Sequence, residues 1–130
     1  MMKRQMATTD QRPIKQPGPD HPITLEPSVR RVRVTVGDAI VADSERALIL
    51  REKGYEPVYY VPPEDVDFSL LAPTDHTSYC PYKGDAAYYS VPAGGERSVN
   101  AAWQYGDAFP AVREIGGYLA FYPSRVDSIG

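Results

Sequence analysis

Residues 77–91, TSYCPYKGDAAYYSV, read as an extended segment, a turn and a strand, and they hold the chain's single cysteine. Pro81 disfavours a helical conformation at Cys80 and holds it extended, while Lys83-Gly84 suits the middle of a turn. Ala86 to Val91 is then a strand, with tyrosines at 88 and 89 pointing to opposite faces. Downstream, Pro92-Ala-Gly-Gly-Glu96 predicts a hairpin loop. The next stretch alternates, with Val99, Ala101, Trp103 and Tyr105 on one face and Ser98, Asn100, Ala102 and Gln104 on the other. Phe109 to Ile115 carries Pro110 near its start and Gly116 past its end, which predicts a helix of one to two turns. Tyr118 to Tyr122 is a last strand, stopped by Pro123.

Upstream the pattern is also one of hairpins. Val32, Val34 and Val36 alternate with Arg31, Arg33 and Thr35, predicting a half-buried strand over 29–36; Gly37-Asp38 turns it into a partner at Ala39 to Ala42. The segment from Asp43 to Gly54 has capping residues for a helix, yet it is read as a strand because PVYYVP (57–62) resembles its partner. Pro63 to Leu71 is expected to be one short helix, with Glu64 and Asp65 complementing its dipole. A polar loop through Asp75 and His76 leads back to Cys80. Met1 to Pro19, polar and without apolar periodicity, is expected to be a disordered tail ahead of a single domain over 20–130. Seven or so short strands, two short helices and no βαβ rhythm predict a mainly β antiparallel domain, either two packed sheets or a partly open barrel.

Charge and composition narrow the function. The tail carries Lys3, Arg4, Arg12 and Lys15 against Asp10, a net +3, which leaves −6 on the rest. An acidic body lacks the clustered basic face that nucleic acid requires, and the RRVR run at 30–33 reads as a solvated strand face. One cysteine makes no internal disulfide and no cysteine-pair zinc site, so the thiol is expected to be reduced, with no metal and no cofactor. There is no apolar run long enough for a membrane helix and no secretory leader, which sets the cytoplasm as the expected compartment and no membrane as a partner.

Two constellations carry chemistry. Cys80 is a nucleophile if Lys83 folds back beside it, since a cation favours the thiolate; otherwise it is an inert core cysteine. The aromatic set, chiefly Tyr60, Trp103 and Tyr105, either lines a pocket or fills a core. Arg46 reads as an anion anchor or an exposed charge. Asp65 and Asp67 would share a face only on a strand, where they would suit a magnesium ion.

The stretches ADSERALILRE, PVYYVPPEDV, LLAPTDHTSYCPYKGDAAYYSV, NAAWQYGDAFPAV and GGYLAFYPSRV, from Pro22 to Asp127, resemble a bacterial and fungal family catalogued as domain of unknown function four-two-seven, also carried under a nucleotidyltransferase-like label. The resemblance implies a small β-rich domain similar to the two-sheet β-tent of some zinc-binding modules, without the cysteine pairs that hold their metal. It puts Arg46, Tyr60, Cys80, Lys83, Trp103 and Tyr105 at recurrent positions. The label would imply metal-dependent nucleotidyl transfer, but the Gly-Ser motif of that chemistry is missing, and Asp65 and Asp67 are the only spaced pair in a comparable form. The expectation is a pocket for a small anionic ligand, with Cys80 and Lys83 as the reactive pair and Arg46, Tyr60, Trp103 and Tyr105 as binding residues. The competing class is an interaction module that docks a partner or a second copy of itself.

Overall fold

The computed structural model describes residues 12–130. Ten strands are formed among them: β1 (Ile23–Pro27), β2 (Val32–Val36), β3 (Ala39–Ser44), β4 (Leu48–Glu52), β5 (Val58–Tyr60), β6 (Ala72–Cys80), β7 (Gly84–Ser90), β8 (Ala102–Tyr105), β9 (Leu119–Phe121) and β10 (Ser128–Ile129). All pairings are antiparallel, in sheets of order β9-β8-β7-β6, β10-β2-β3 and β1-β4-β5. The expected mainly β domain is observed, and no strand set closes a barrel by backbone pairing.

Two of the sheets run on into each other. Val61, just past β5, exchanges both backbone hydrogen bonds with Leu119 of β9, at 2.8 and 2.9 Å, so β1-β4-β5 continues into β9-β8-β7-β6. The third sheet packs onto this surface. Alternation along β2 buries Val32, Val34 and Val36, which join Val41, Val61, Val91, Leu119, Phe121 and Val126 in one aliphatic cluster. A second cluster gathers Leu50, Tyr60, Tyr88, Tyr105, Val112 and Ile115, with Trp103, Tyr122 and Cys80 packed against it.

Several local expectations are revised. The predicted helix over 63–71 is two 3-10 turns, Pro63–Asp65 and Phe68–Leu70, because buried Val66 between them pairs with Ala42 as a β-bridge. The expected loop through Asp75 and His76 belongs to edge strand β6, whose register shifts between Pro73 and Thr77; that irregularity erases the apolar alternation. The alternation over 98–105 holds only from Ala102. Asn100 turns the chain at φ 54°, and Val99, grouped with the buried face, is 45% exposed. The helix expected at 109–115 is a kinked 3-10 segment, Pro110–Ile115.

Part of the tail expected over 1–19 falls among the described residues, where it contacts the β6–β7 hairpin. Arg12 forks Asp85 at 2.6 and 3.0 Å and lies over the Tyr79 ring. The Tyr79 hydroxyl donates to the Pro13 carbonyl at 2.7 Å, and the Lys15 N–H donates to the Pro81 carbonyl at 3.0 Å. Composition could not reveal this, since one of the bonds, Lys15 N–H to the Pro81 carbonyl, is main chain to main chain and the others need Tyr79 and Asp85 presented by the folded hairpin. Residues 1–11 of that expectation lie outside the described part.

Candidate functional site

The site is organised by the turn Pro81-Tyr82-Lys83 between β6 and β7. The Lys83 N–H donates to the Cys80 carbonyl, the Phe109 N–H caps the Lys83 carbonyl, and Gly84 follows at φ +112°, where a side chain would be strained. This folds Lys83 back. Its Nζ lies 3.8 Å from Cys80 Sγ, so the two residues that a straight strand would separate are brought together.

Lys83 is nevertheless not a free cation. Its ammonium donates to Glu52 Oε1 at 2.5 Å, and His21 Nε2 meets Glu52 Oε2 at 2.7 Å. The Lys83 and Glu52 side chains are only 9% and 8% exposed. Burial pushes the Glu52 carboxyl up, but the hydrogen bonds from Lys83 and then His21 outweigh it, and the group ends below the usual glutamate value. The His21 ring stacks on Tyr82, centroids 4.3 Å apart and planes within 10°. A row Cys80–Lys83–Glu52–His21 therefore joins the β6–β7 turn to the end of β4 and to the segment before β1.

Beside this row opens a cavity of about 950 Å³ between the aliphatic and aromatic clusters, lined among others by Tyr60, Tyr88, Trp103, Tyr105, Cys80 and Lys83. Alternation along β8 turns Trp103 and Tyr105 to the same side. The Trp103 indole N–H donates to the Tyr60 hydroxyl at 3.3 Å, the two rings are perpendicular, and Tyr122 lies 4.4 Å from Trp103. Burial raises the hydroxyl pKa of Tyr60 and Tyr105 well above the ordinary tyrosine value, so both remain O–H donors. Tyr122 is pushed up to about 12, by burial first and then by its hydrogen bond to Tyr88.

Tyr105 is the telling member. It is 7% exposed and its hydroxyl makes no hydrogen bond, yet the only fully enclosed side-chain polar atom without a partner among the described residues is Arg33 Nε. Its oxygen therefore opens onto the cavity. Buried hydroxyls are ordinarily satisfied, and this one has no protein partner on the hollow it faces.

Arg46 is not brought to this cavity. Its guanidinium, 62% exposed, holds Asp65, whose other contact is the Ser44 hydroxyl at 2.7 Å. Those bonds, Arg46 first, pull the Asp65 carboxyl below its usual value. Asp67 accepts instead from the Ser69 N–H and hydroxyl, so the two aspartates serve different turns. The RRVR charges are engaged as well: Arg31 and Arg33 both hold Asp43 across the β2–β3 hairpin.

Residues 24–130 match the model of the family described as Domain of unknown function (DUF427), labelled NTP_transf_9. The chain belongs to that family. No curated protein matches it. In this DUF427 chain the two polar residues that sequence reading missed are Glu52 and His21. Glu52 had a signal: in LILRE, strand alternation puts it on the same face as Leu48 and Leu50, so a carboxylate continues an apolar face. His21 had none, because only the fold carries it to Tyr82.

Among the described residues no three His, Cys, Asp or Glu side chains converge as metal ligands would, and no helix is long and apolar enough to cross a membrane.

Proposed function

We propose that this chain binds a small, flat, uncharged ligand in the cavity walled by Tyr60, Trp103 and Tyr105. The observation that carries the reading is Tyr105, a residue nine-tenths buried on an aromatic-lined hollow whose hydroxyl no protein group pairs. Shape supports a ring: Tyr60 and Trp103 stand at 88° and Trp103 and Tyr122 at 40°, so faces and edges are both on offer. The anionic ligand expected from Arg46 and Lys83 is set aside on electrostatic grounds. Arg46 is spent on Asp65, and Lys83 is neutralised by a buried Glu52, so an added carboxylate would leave net negative charge in a half-closed site. A reduced Cys80 in the cytoplasm fits the same reading.

Trp103 is the only tryptophan, so its emission reports on the cavity alone. Titration with benzamide is expected to change Trp103 fluorescence saturably, with benzoate weaker. Silence to benzamide in the native protein would overturn the proposal, and a stronger response to benzoate would restore the anionic reading.

A further inference from the structure

The geometry points to Cys80 as the nucleophile of a covalent capture site, in which the cavity takes a neutral α,β-unsaturated carbonyl compound and the thiol adds across its double bond. The inference rests on the ligand-binding reading above and adds a reaction to it. Three features line the same cavity. Cys80 lines it, with the Lys83 Nζ 3.8 Å from the sulfur. Tyr105, nine-tenths buried on the same cavity, has a hydroxyl that no protein group pairs. Tyr60 accepts from the Trp103 indole, so its own O–H proton is directed elsewhere.

Each of these tyrosine hydroxyls can donate an O–H, since burial keeps it protonated. Glu52, the one carboxylate in the row, has one oxygen bound to Lys83 and the other to His21. Donors around an apolar hollow select the oxygen of a carbonyl, and they hold it more tightly once it gains charge. In the reaction Cys80 Sγ bonds to the β-carbon, and the C=C pair moves through the enolate onto the carbonyl oxygen, where the tyrosine O–H groups stabilise it. The thiol proton ends on the α-carbon. The sum adds S–H across C=C and consumes no oxidant.

The test is intact-mass kinetics of the full chain with 2-cyclohexen-1-one, in which any thiol adduct must lie on Cys80, the sole cysteine. The adduct rate is expected to saturate with enone concentration and to fall roughly tenfold in Tyr105→Phe, the size of one lost hydrogen bond. Methyl methanethiosulfonate, which has no carbonyl, is expected to label wild type and Tyr105→Phe at equal rates. A rate linear in enone, or one indifferent to Tyr105, overturns the inference; so does an equal loss with both reagents, which would mean a distorted fold. Cyclohexanone separates the two readings. If it alters Trp103 emission while the enone gives no adduct, only the covalent step fails; if neither reagent touches Trp103, the ligand reading fails with it.

Discussion

The two halves of the interior are built to opposite rules. Around β2, β3 and β9 the buried apolar residues are valines, alanines, Leu119 and Phe121, and the one buried hydroxyl on these strands, that of Ser44, is spent on Asp65. Around β4, β7 and β8 they are tyrosines beside a buried Glu52–Lys83 pair, and space is left between them. A site built only to be stable would not retain these groups, because apolar residues of similar volume match or exceed a buried ion pair. Under the proposed function the first half supplies stability and the second recognition, and each half can be tested against that division.

The largest effect is expected on the aliphatic side. Leu119 is fully buried where the two sheets join, and Leu119→Ala keeps the backbone bridge to Val61 while emptying the side-chain volume. Urea unfolding is expected to show a loss of about 4 kcal/mol, within the range for such truncations. A loss under about 1 kcal/mol would mean that the junction is loosely packed and the division is wrong.

Next comes the buried pair. Glu52→Gln strands the Lys83 ammonium in a site where it is 9% exposed, for a cost of about 3 kcal/mol. Replacing Glu52 and Lys83 together by methionine is expected to restore or exceed wild-type stability, since the pair is kept for the site. The pH dependence has a definite sign. Because the Glu52 carboxyl is depressed in the folded chain, its contribution is complete above the ordinary glutamate value of about 4.3 and is lost as pH falls below that through the lowered value. Acid unfolding of the double methionine variant lacks this component; an identical acid limb in both proteins would remove Glu52 as its source.

A smaller effect is expected at the strap. A chain beginning at Pro17 loses the main-chain bonds at Pro13 and Lys15 together with the exposed Arg12–Asp85 pair, which contributes little. The melting curve should report roughly 1–2 kcal/mol, about one unit per hydrogen bond. An unchanged melting temperature would return these residues to the dispensable tail that composition suggests.

What the sequence makes legible follows from where the information is local. Alternation in 32–36 and the Gly37-Asp38 turn declare their hairpin outright, and Trp103 and Tyr105 are two apart on a strand, so their shared face is readable. Cys80 and Lys83 were readable only as a conditional, because their proximity depends on a turn that closes at Cys80 and passes through Gly84. Arg46 was indistinguishable from an anion anchor until Asp65 came to it across nineteen residues. Glu52 and His21 meet Lys83 and Tyr82 only through the curl of the joined sheets, a property of twist and register that no window of sequence contains.

The smallest expected change in stability carries the sharpest discrimination. A hydrogen-bonded buried tyrosine loses about 1 kcal/mol on conversion to phenylalanine, but Tyr105 has no partner to lose. Tyr105→Phe is therefore expected to change the unfolding free energy by less than about 0.5 kcal/mol, or to raise it, since an unsatisfied polar atom is removed from a largely apolar wall. Ser78 and Tyr122 flank the Tyr88 hydroxyl at 2.8 and 3.5 Å, so Tyr88→Phe in the same cluster supplies the control and should cost measurably more. The response of Trp103 to benzamide should move the other way, weakening in Tyr105→Phe while the fold stays intact. Should Tyr105→Phe instead destabilise as much as Tyr88→Phe, its hydroxyl is bonded within the native hollow to ordered water. The aromatic half would then be a wet core, and the division between a stabilising half and a recognising half would fall.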